Sequence, residues 1–507
     1  MVYPNKIDSN FTGLAIAEEA SLKTLPGTPV WQAMEPNSYS DLGSDISSVS
    51  RDPINPSRQK RRGTVTDEQA AGGFNTDYTY NNLTKLMQGF CFANLREHVS
   101  TAPVNGTQVT LTGVTSTTYT ASTGLASFAA NDLVFASGFA VAQNNGLKLL
   151  SASASGSITT TGLATETPPA TAKVEAVGFQ FTSGDATITV ASGVATLGST
   201  SKDLTTLGLN VGEFMFVGGD TTATKFATCP VFYGRVKSIA TNAIVFDKVT
   251  GAAVSDTGTG KTVQIFFGKF LRNEDATANI IRRTYQVERQ LGNDGDGIQS
   301  EILVGAVANE FTLNIPAKDK LNADLNFLAL STENRTGTQG LKAGTRVAAL
   351  GETAINTTSD VYRLRLNIID AATLQPTPLF AYVTEGNISI KNNASVNDAI
   401  GVLGGFDVTV GNFEVGGSLT AYFSTVTAKA AIKNNSDITF DAILAKGNKG
   451  IVYDIPMLGL GGGKLDVSKD AAIKIPLEMM AAQGSANYTL GITSFMYLPN
   501  AAMPTAQ

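Results

Sequence analysis

The stretch RTYQVERQLGNDGDGIQSEILVGAVANEFTLNIPAKDKLNADLNFLAL, Arg283 to Leu330, decides the fold class. Thr284, Gln286 and Glu288 alternate with Tyr285, Val287 and Arg289, and Phe311, Leu313 and Ile315 alternate with Thr312 and Asn314. Leu325, Phe327 and Leu330 close the run. Alternation with period two sends one set of side chains into a core and the other into water, so the stretch predicts successive antiparallel strands. An acidic, glycine-rich turn, Gly292–Gly297, separates the first two. The stretch reads as the spine of a sheet and carries no catalytic device.

Working outward, the composition favours the same class. Hydrophobic residues make up 42% of the 507, enough for several cores, but charged residues only 16%, against roughly 25% in soluble proteins generally. A chain of this length predicts about three or four structural units. Its 50 glycines and abundant Thr, Ser and Asn suit strands joined by tight turns better than helical bundles. A surface so poor in charge points to a protein covered by partners in an assembly. The formal net charge of −6 argues against tight nucleic-acid binding, which needs a basic footprint, yet suits the lining of a channel through which DNA passes. Two cysteines, Cys91 and Cys229, exclude a disulfide framework. No signal-peptide pattern opens the chain, and no run reaches the ~18 apolar residues of a membrane-crossing helix. The expectation is a soluble protein made in a cytoplasm.

In chain order, Leu14–Leu22 predicts a short helix, followed by a Pro/Gly turn at Thr24–Pro29 and the single tryptophan, Trp31. Asp41–Arg62 is polar, ends in Arg58, Lys60, Arg61 and Arg62, and reads as a solvated loop. Gly63–Tyr80 alternates; Asn81 or Asn82 would then cap a helix across Leu83, Leu86 and Met87 that closes near Gly89. From about Thr101 small polar residues crowd the chain until about Gly268. A weak repeat lies inside this region. Phe128–Gly138, Asn145–Ser151 and Gly156–Ile158 correspond to Leu209–Gly218, Tyr233–Ile239 and Asn242–Ile244. Residues 98–267 therefore read as an insertion of two small all-β modules, about 98–180 and 181–267, that interrupts a host domain made of 1–97 and 268–345. Thr332–Asp360 reads as a linker, and 346–507 as a second β domain with a helix over Val426–Lys433. Gly72, Gly73, Thr76 and Tyr78 recur as Gly416, Gly417, Thr420 and Tyr422, each set before a helix, which suggests that the two host halves are duplicates.

Motifs for chemistry fall away on inspection. Asp256–Thr262 (DTGTGKT) ends like a phosphate loop, but Ser255 stands where its first glycine should, and strand-like Val263–Phe267 comes next where a helix is needed. In Gly459–Lys464 (GLGGGK) the metal-binding hydroxyl position is Leu465. Asn293, Asp294 and Asp296 could offer oxygen ligands, but Leu303 stands where an EF-hand needs its acid. His98 is the only histidine, so no histidine-based triad or multi-histidine metal site can form within one chain. The reading is no enzyme, no catalytic, cofactor or metal site, and no cofactor.

The order of several segments resembles the major tail tube proteins of long-tailed (siphovirus-type) bacteriophages. They are IAEEASLKTLPGTPVW near the start, RTYQVERQLG, the run from Ala306 to Ser331, EGNISIKNNASV, GGFDVTVGNFEVGGSLTAYFS, GIVYDIPMLGL and the closing Phe495–Pro499. They cover roughly 1–97 and 268–500 and leave out the insertion. The resemblance implies a mainly β fold of two tail-tube-type β-sandwich or barrel domains, each with a helix, with the inserted modules decorating the outside. It also implies stacked rings that form a hollow conduit for DNA ejection. Contacts would be with other copies of the chain, with a tape-measure protein in the lumen, and with tail terminator and distal tail proteins. Duplicate domains imply a homotrimeric, pseudo-hexameric ring in a virion tail. The alternative is a host-surface or carbohydrate-binding virion protein, which would display aromatic side chains on the insertion. If the insertion is peripheral, deleting it leaves assembly intact.

Overall fold

In the computed structural model, Leu14–Ala17 lie in a strand and not in the expected helix. β1 (Gly13–Glu18) pairs with β2 (Val30–Met34) on one edge and with strand Tyr285–Asn293 on the other. Leu14, Ala15, Ile16 and Ala17 are all buried. A strand covered on both faces is apolar at consecutive positions, and this erases the alternation by which strands are recognised. β3 (Pro36–Ser50) and β4 (Gly63–Asp77) form a long hairpin paired out to Ser50 and Gly63. The polar segment from Asp41 is thus largely strand; from Asp45 to Ser50 every residue is exposed, so no core demands apolar side chains there. The helix expected around Leu83–Gly89 is the five-residue α1 (Met87–Cys91), stopped at Phe92 by a left-handed φ of 46°. The structure describes residues 7, 12–54, 56, 59, 61–98, 108–293, 297–369, 376–379, 382–423 and 426–504.

The insertion contains two sets of strands. The first is β5 (Gly113–Val114), β6 (Thr118–Thr120), β7 (Asp132–Ser137), β8 (Gly146–Leu149), β9 (Ala152–Ala154), β10 (Ser157–Thr159) and β11 (Lys173–Gln180). The second is β12 (Thr187–Ala191), β13 (Val194–Gly198), β14 (Phe214–Val217), β15 (Phe232–Ala240), β16 (Ala243–Val249) and β17 (Gln264–Phe266). The second set is ordered β12-β13-β16-β15-β14-β17. The first runs β5-β6-β10-β9 in one sheet and β8-β7-β11 in another, the same order with β8 and β9 standing for the two ends of β15. β11 and β17 pair antiparallel, and one apolar core extends from Val109 to Phe267, so the two sets fold as one body.

After β18 (Lys269–Arg272) come β19 (Tyr285–Asn293), β20 (Ile298–Ile315), β21 (Asn322–Ala329) and β22 (Ser331–Arg335). They are followed by β23 (Val361–Ile369), β24 (Val383–Lys391), β25 (Glu414–Tyr422), α2 (Thr427–Lys433), β26 (Ile438–Lys446), β27 (Lys449–Gly462), β28 (Lys474–Ala482) and β29 (Gly491–Phe495). α2 falls where the sequence predicts it. The expected linker, by contrast, opens with β22, paired to β20, and contains Thr345–Val347, parallel to β2. Two pairing patterns match. In one, β1, β19 and β20 lie side by side, and the far edge of β20 takes β22 and then β21. In the other, β23, β26 and β27 lie side by side, and the far edge of β27 takes β29 and then β28. Each pattern is accompanied in the chain by a strand pair and a short helix, β3–β4 with α1 and β24–β25 with α2.

Contacts divide the chain into two compact units, 1–93 with 278–357 and 384–419, and 94–277 with 358–383 and 420–507. This differs from the division read from sequence. Segment 384–419 joins the first unit, because β24 pairs with β20, and 98–267 shares the second with the C-terminal strands.

Candidate functional site

In the first unit, β3, β4, β21, β20 and β24 form consecutive ladders. Across them runs the row Tyr39, Phe74, Leu325, Phe311, Ile390, each residue the cross-strand partner of the next. Phe90 of α1 covers this face, its ring 5.7 Å from both Phe311 and Phe327. Because strand side chains alternate, the next row, Ser38, Asn75, Asp324, Thr312 and Ser389, lies on the opposite face.

That opposite face is an amide and carboxylate ladder. The Asn37 amide donates to Asn75 Oδ1 (3.0 Å) and Asp77 Oδ1 (2.7 Å). Asn75 donates in turn to Asn322 (3.0 Å) and Asp324 (2.7 Å), and Asn314 to the same two residues at 2.9 and 2.6 Å. Lys320 Nζ donates to Asp77 at 2.7 Å. Partial burial of the Asp77 carboxyl would raise its pKa, but hydrogen bonds from Lys320 and Asn37 outweigh that and lower it. Lys391 pairs with Glu310 across the ladder, 3.8 Å apart. Cations here are tied to carboxylates, so a polyanion passing over the face meets amides and acids.

Two hairpin tips in this unit carry exposed apolar side chains. On β3–β4 these are Ile46, Val49, Ile54 and Val65, flanked by Arg51, Arg61 and Arg62. Between β24 and β25, the short pair Ser395–Asn397 and Asp407–Thr409 carries Ile400, Val402, Leu403 and Phe406. The base of this second tip is fixed by Gly405 N donating to Leu330 O (2.9 Å) and Lys23 Nζ donating to Gly405 O (3.0 Å).

Strand edges complete the surface. β3 pairs only with β4 among the described residues. In β20, the edge beyond the end of β19 is taken by β24, from Glu310↔Lys391 to Ile315↔Gly386. In β27, the corresponding edge beyond Leu458, Gly459–Gly462, has no strand on it among the described residues. Kinks add to the correspondence. Gly72 has φ +151° and Gly417 φ +149°, a backbone region that glycine alone adopts readily. The match at Gly416 is therefore one residue out of register with the structural kink.

The sequence motifs resolve into turns and packing. Asp256 accepts from Thr228 N and Oγ1, Cys229 N and Gly258 N, which, against the opposing effect of burial, hold its pKa down to about 2. Lys261 Nζ donates to Thr222 O, so the DTGTGKT loop is tied at both ends to the neighbouring 222–229 loop. GLGGGK is the end of β27, with Gly463 and Lys464 just past the strand. Asp294 and Asp296 lie outside the described residues, as do Arg58 and Lys60. Among the described residues no cluster of three or more His, Cys, Asp or Glu could hold a metal. His98 is buried against Glu213, Nε2 to Oε2 3.1 Å. Phe128, Phe139, Phe179, Phe181, Phe214, Phe216, Phe232 and Tyr233 are buried, and Phe135 packs against a core. The insertion thus lacks, among these residues, the aromatic display that the glycan-binding alternative needs. Sequence reading missed the Asn/Asp ladder, although Asn75, Asn314 and Asn322 stand at polar positions of alternating strands.

A profile of the family described as phage tail tube protein matches residues 10–213 and 241–481. The match runs through much of the insertion, which the resemblance had left out. No curated protein matches the chain.

Proposed function

This chain belongs to the phage tail tube protein family, and we propose that it is the major tube protein of a siphovirus-type phage, with three copies closing each ring. Membership makes it a structural virion component that assembles with itself into a tube. The proposal rests above all on the β20–β24 joint. It is a seam between the first strand pattern and the strand pair that accompanies the second in the chain. The same seam has two open counterparts, the Gly459–Gly462 edge of β27 and the outer edge of β3. Pairing those edges between chains repeats the internal joint, so each chain contributes two equivalent sheets and three chains contribute six. Closure of this kind removes exposed edges and satisfies a cyclic symmetry.

The ladder of Asn37, Asn75, Asn314, Asn322, Asp77 and Asp324 is then the lumen wall. Phosphate binding requires accessible cations; amides and carboxylates let DNA slide during ejection, and a tape-measure protein occupies the space beforehand. The apolar hairpin tips serve contacts from ring to ring, which are heterologous and therefore propagate without closing. Tail terminator and distal tail proteins meet the two ends. Loops of the insertion are the part open to a host surface.

The test is microscopy with mass measurement. Purified protein should form hollow tubes, and a single ring should weigh three chains. Six chains per ring overturn the joint argument; a species that stays monomeric under all assembly conditions overturns the tube reading for this chain.

A further inference from the structure

In the second unit, β7, β11, β14, β15 and β17 of the insertion present Leu133, Val177, Phe214, Phe216, Tyr233 and Phe266 to the C-terminal strands. There they meet Ile443 of β26, Val452 of β27, Phe495 of β29, and Leu498 and Ala502 beyond it. Tyr233 donates its hydroxyl to Ala502 O at 2.8 Å, and Phe214 N donates to Thr493 Oγ1 at 3.2 Å. This is sheet-on-sheet packing with a shared core.

Beside that core lies a cluster of six charges. Arg235 Nε is 2.8 Å from Asp247 and its NH1 3.1 Å from Asp454. Lys248 Nζ is 2.7 Å from Asp441 and 3.6 Å from Asp454, and donates to Thr439 Oγ1 at 3.0 Å. Arg363 Nε lies 2.7 Å from Asp441, and the Tyr488 hydroxyl donates to Asp454 at 2.9 Å. Side chains of Lys248, Asp441 and Asp454 are at most 2% exposed. The insertion supplies Arg235, Lys248 and Asp247; the C-terminal part supplies Asp441, Asp454 and Arg363. Each layer alone holds an unbalanced charge, and only together do three cations meet three carboxylates. A module added for display would join through a linker with few contacts crossing it. This one is joined through a core and a water-excluded charge cluster, where removing one partner leaves an uncompensated ion.

We propose that the insertion is the second structural layer of the C-terminal half, clamped there by this charge cluster, and that tube building depends on the clamp. The dependence of the tube rests on the function proposed above; the clamp itself does not. Burial pulls the Lys248 pKa down and Asp441 and Asp454 only partly oppose it, whereas for Asp441 the nearby Lys248 and Arg363 more than offset burial and lower its pKa.

The experiment is a double-mutant cycle in the full-length chain, Lys248→Met, Asp441→Leu and both, read by thermal unfolding and by tube yield. Each single change leaves a net buried charge and should lower Tm by about 10 °C. The double removes one cation and one carboxylate together, leaving Arg235 with Asp247 and Asp454 and Arg363 with the Thr250 carbonyl and Asn367, and should regain part of that loss, with tube yield in the same order. If the two losses simply add in the double, or neither single moves Tm, the clamp is refuted. Replacing 98–267 by a short Gly/Ser linker should give a chain that neither stays soluble nor assembles. A soluble deletion chain that forms tubes of normal Tm overturns the proposal even if the cycle shows coupling. Should the intact chain form no tubes at all, the tube reading fails, while the cycle in Tm still decides the clamp.

Discussion

His98→Gln should weaken the second unit strongly at pH 6 and only slightly at pH 9. Where the chain enters the insertion, Arg96 bridges Phe270, and Lys269 sits between Glu97 and Glu175 at 3.2 and 3.3 Å. His98 comes next, its Nε2 3.1 Å from Glu213 with both side chains at most 1% exposed, and its ring edge-on to Phe267 at 5.2 Å. Burial works against the imidazolium, but the Glu213 charge and hydrogen bond, the Gly208 backbone and the Glu175 charge outweigh it and raise the His98 pKa above 6.5. A group whose folded pKa is raised contributes fully below its unfolded pKa and loses that contribution as pH climbs through the folded value. The stabilisation is therefore complete below pH ~6.5 and disappears on the alkaline side.

The magnitude comes from the burial of both partners. Removing the cation leaves Glu213 as an uncompensated buried carboxylate, a loss of roughly 3–5 kcal/mol. For a body of this size that is about 10 °C in Tm. Calorimetry of wild type and His98→Gln from pH 5.5 to 9.5 should show curves that converge as pH rises. Because the chain has one histidine, selective imidazole labelling gives a single NMR titration, with its midpoint above 6.5. A constant gap between the two proteins across that range, or a midpoint below 6.5, would refute the argument.

Other parts of the fold give further expected outcomes. Gly72→Ala places a Cβ 2.3 Å from Leu42 Cα at φ +151° and should cost about 1–3 kcal/mol, seen as a lower Tm and faster proteolysis of β3–β4. Cys91 is buried with its thiol pushed up to about 12 by desolvation, so maleimide at pH 8 should leave it unmodified in native protein and react after denaturation. Ile46→Asp with Val65→Asp, or Leu403→Asp with Phe406→Asp, should leave the circular dichroism of the isolated chain unchanged while shortening tubes at least tenfold in micrographs. Asn75→Lys with Asn314→Lys should permit tube assembly but slow DNA release, with the delay relieved by added salt.

The sequence made the sheet legible wherever one face is wet. β20 and β21 alternate because Phe311, Leu313, Leu325 and Phe327 face α1 while Thr312, Asn314, Asp324 and Asn326 face the amide ladder. It misled where that condition fails in either direction. β1 is buried on both faces and imitated a helix; the outer half of β3 is wet on both faces and imitated a loop. The ladder residues were visible as polar positions, but which of them touch depends on register, and register here passes through bulges at Ser40/Gly43 and Ala308/Glu310 that composition does not announce. The charge cluster was hidden for the same reason: Lys248, Asp441 and Arg363 are far apart in the chain.

The two strand patterns agree more in their hydrogen-bond pairing than in their residues. β20 and β27 share hardly a side chain, yet each bends so that one edge serves two successive strands and the other is released halfway. Such a bend needs backbone freedom, which the chain supplies differently in each: a Gly305 at φ +65° in β20, and a run of glycines at the end of β27. In β20 the released edge is filled within the chain, where residues 310–315 pair with β24 along the backbone, Phe311 opposite Ile390, and Glu310 lies 3.8 Å from Lys391. In β27 no strand lies on it among the described residues, and Gly459, Gly461 and Gly462 bear no side chains, which suits a backbone arriving from another molecule. Loading that edge with Gly459→Val and Gly461→Val should therefore stop ring closure while sparing the fold of either unit, because a Cβ at Gly459 meets only Asn435, one at Gly461 meets the flexible Glu478 and Met480 side chains, and neither glycine has a positive φ. Rings that still close with this edge blocked would show that the internal β20–β24 joint is not the template for the joint between chains.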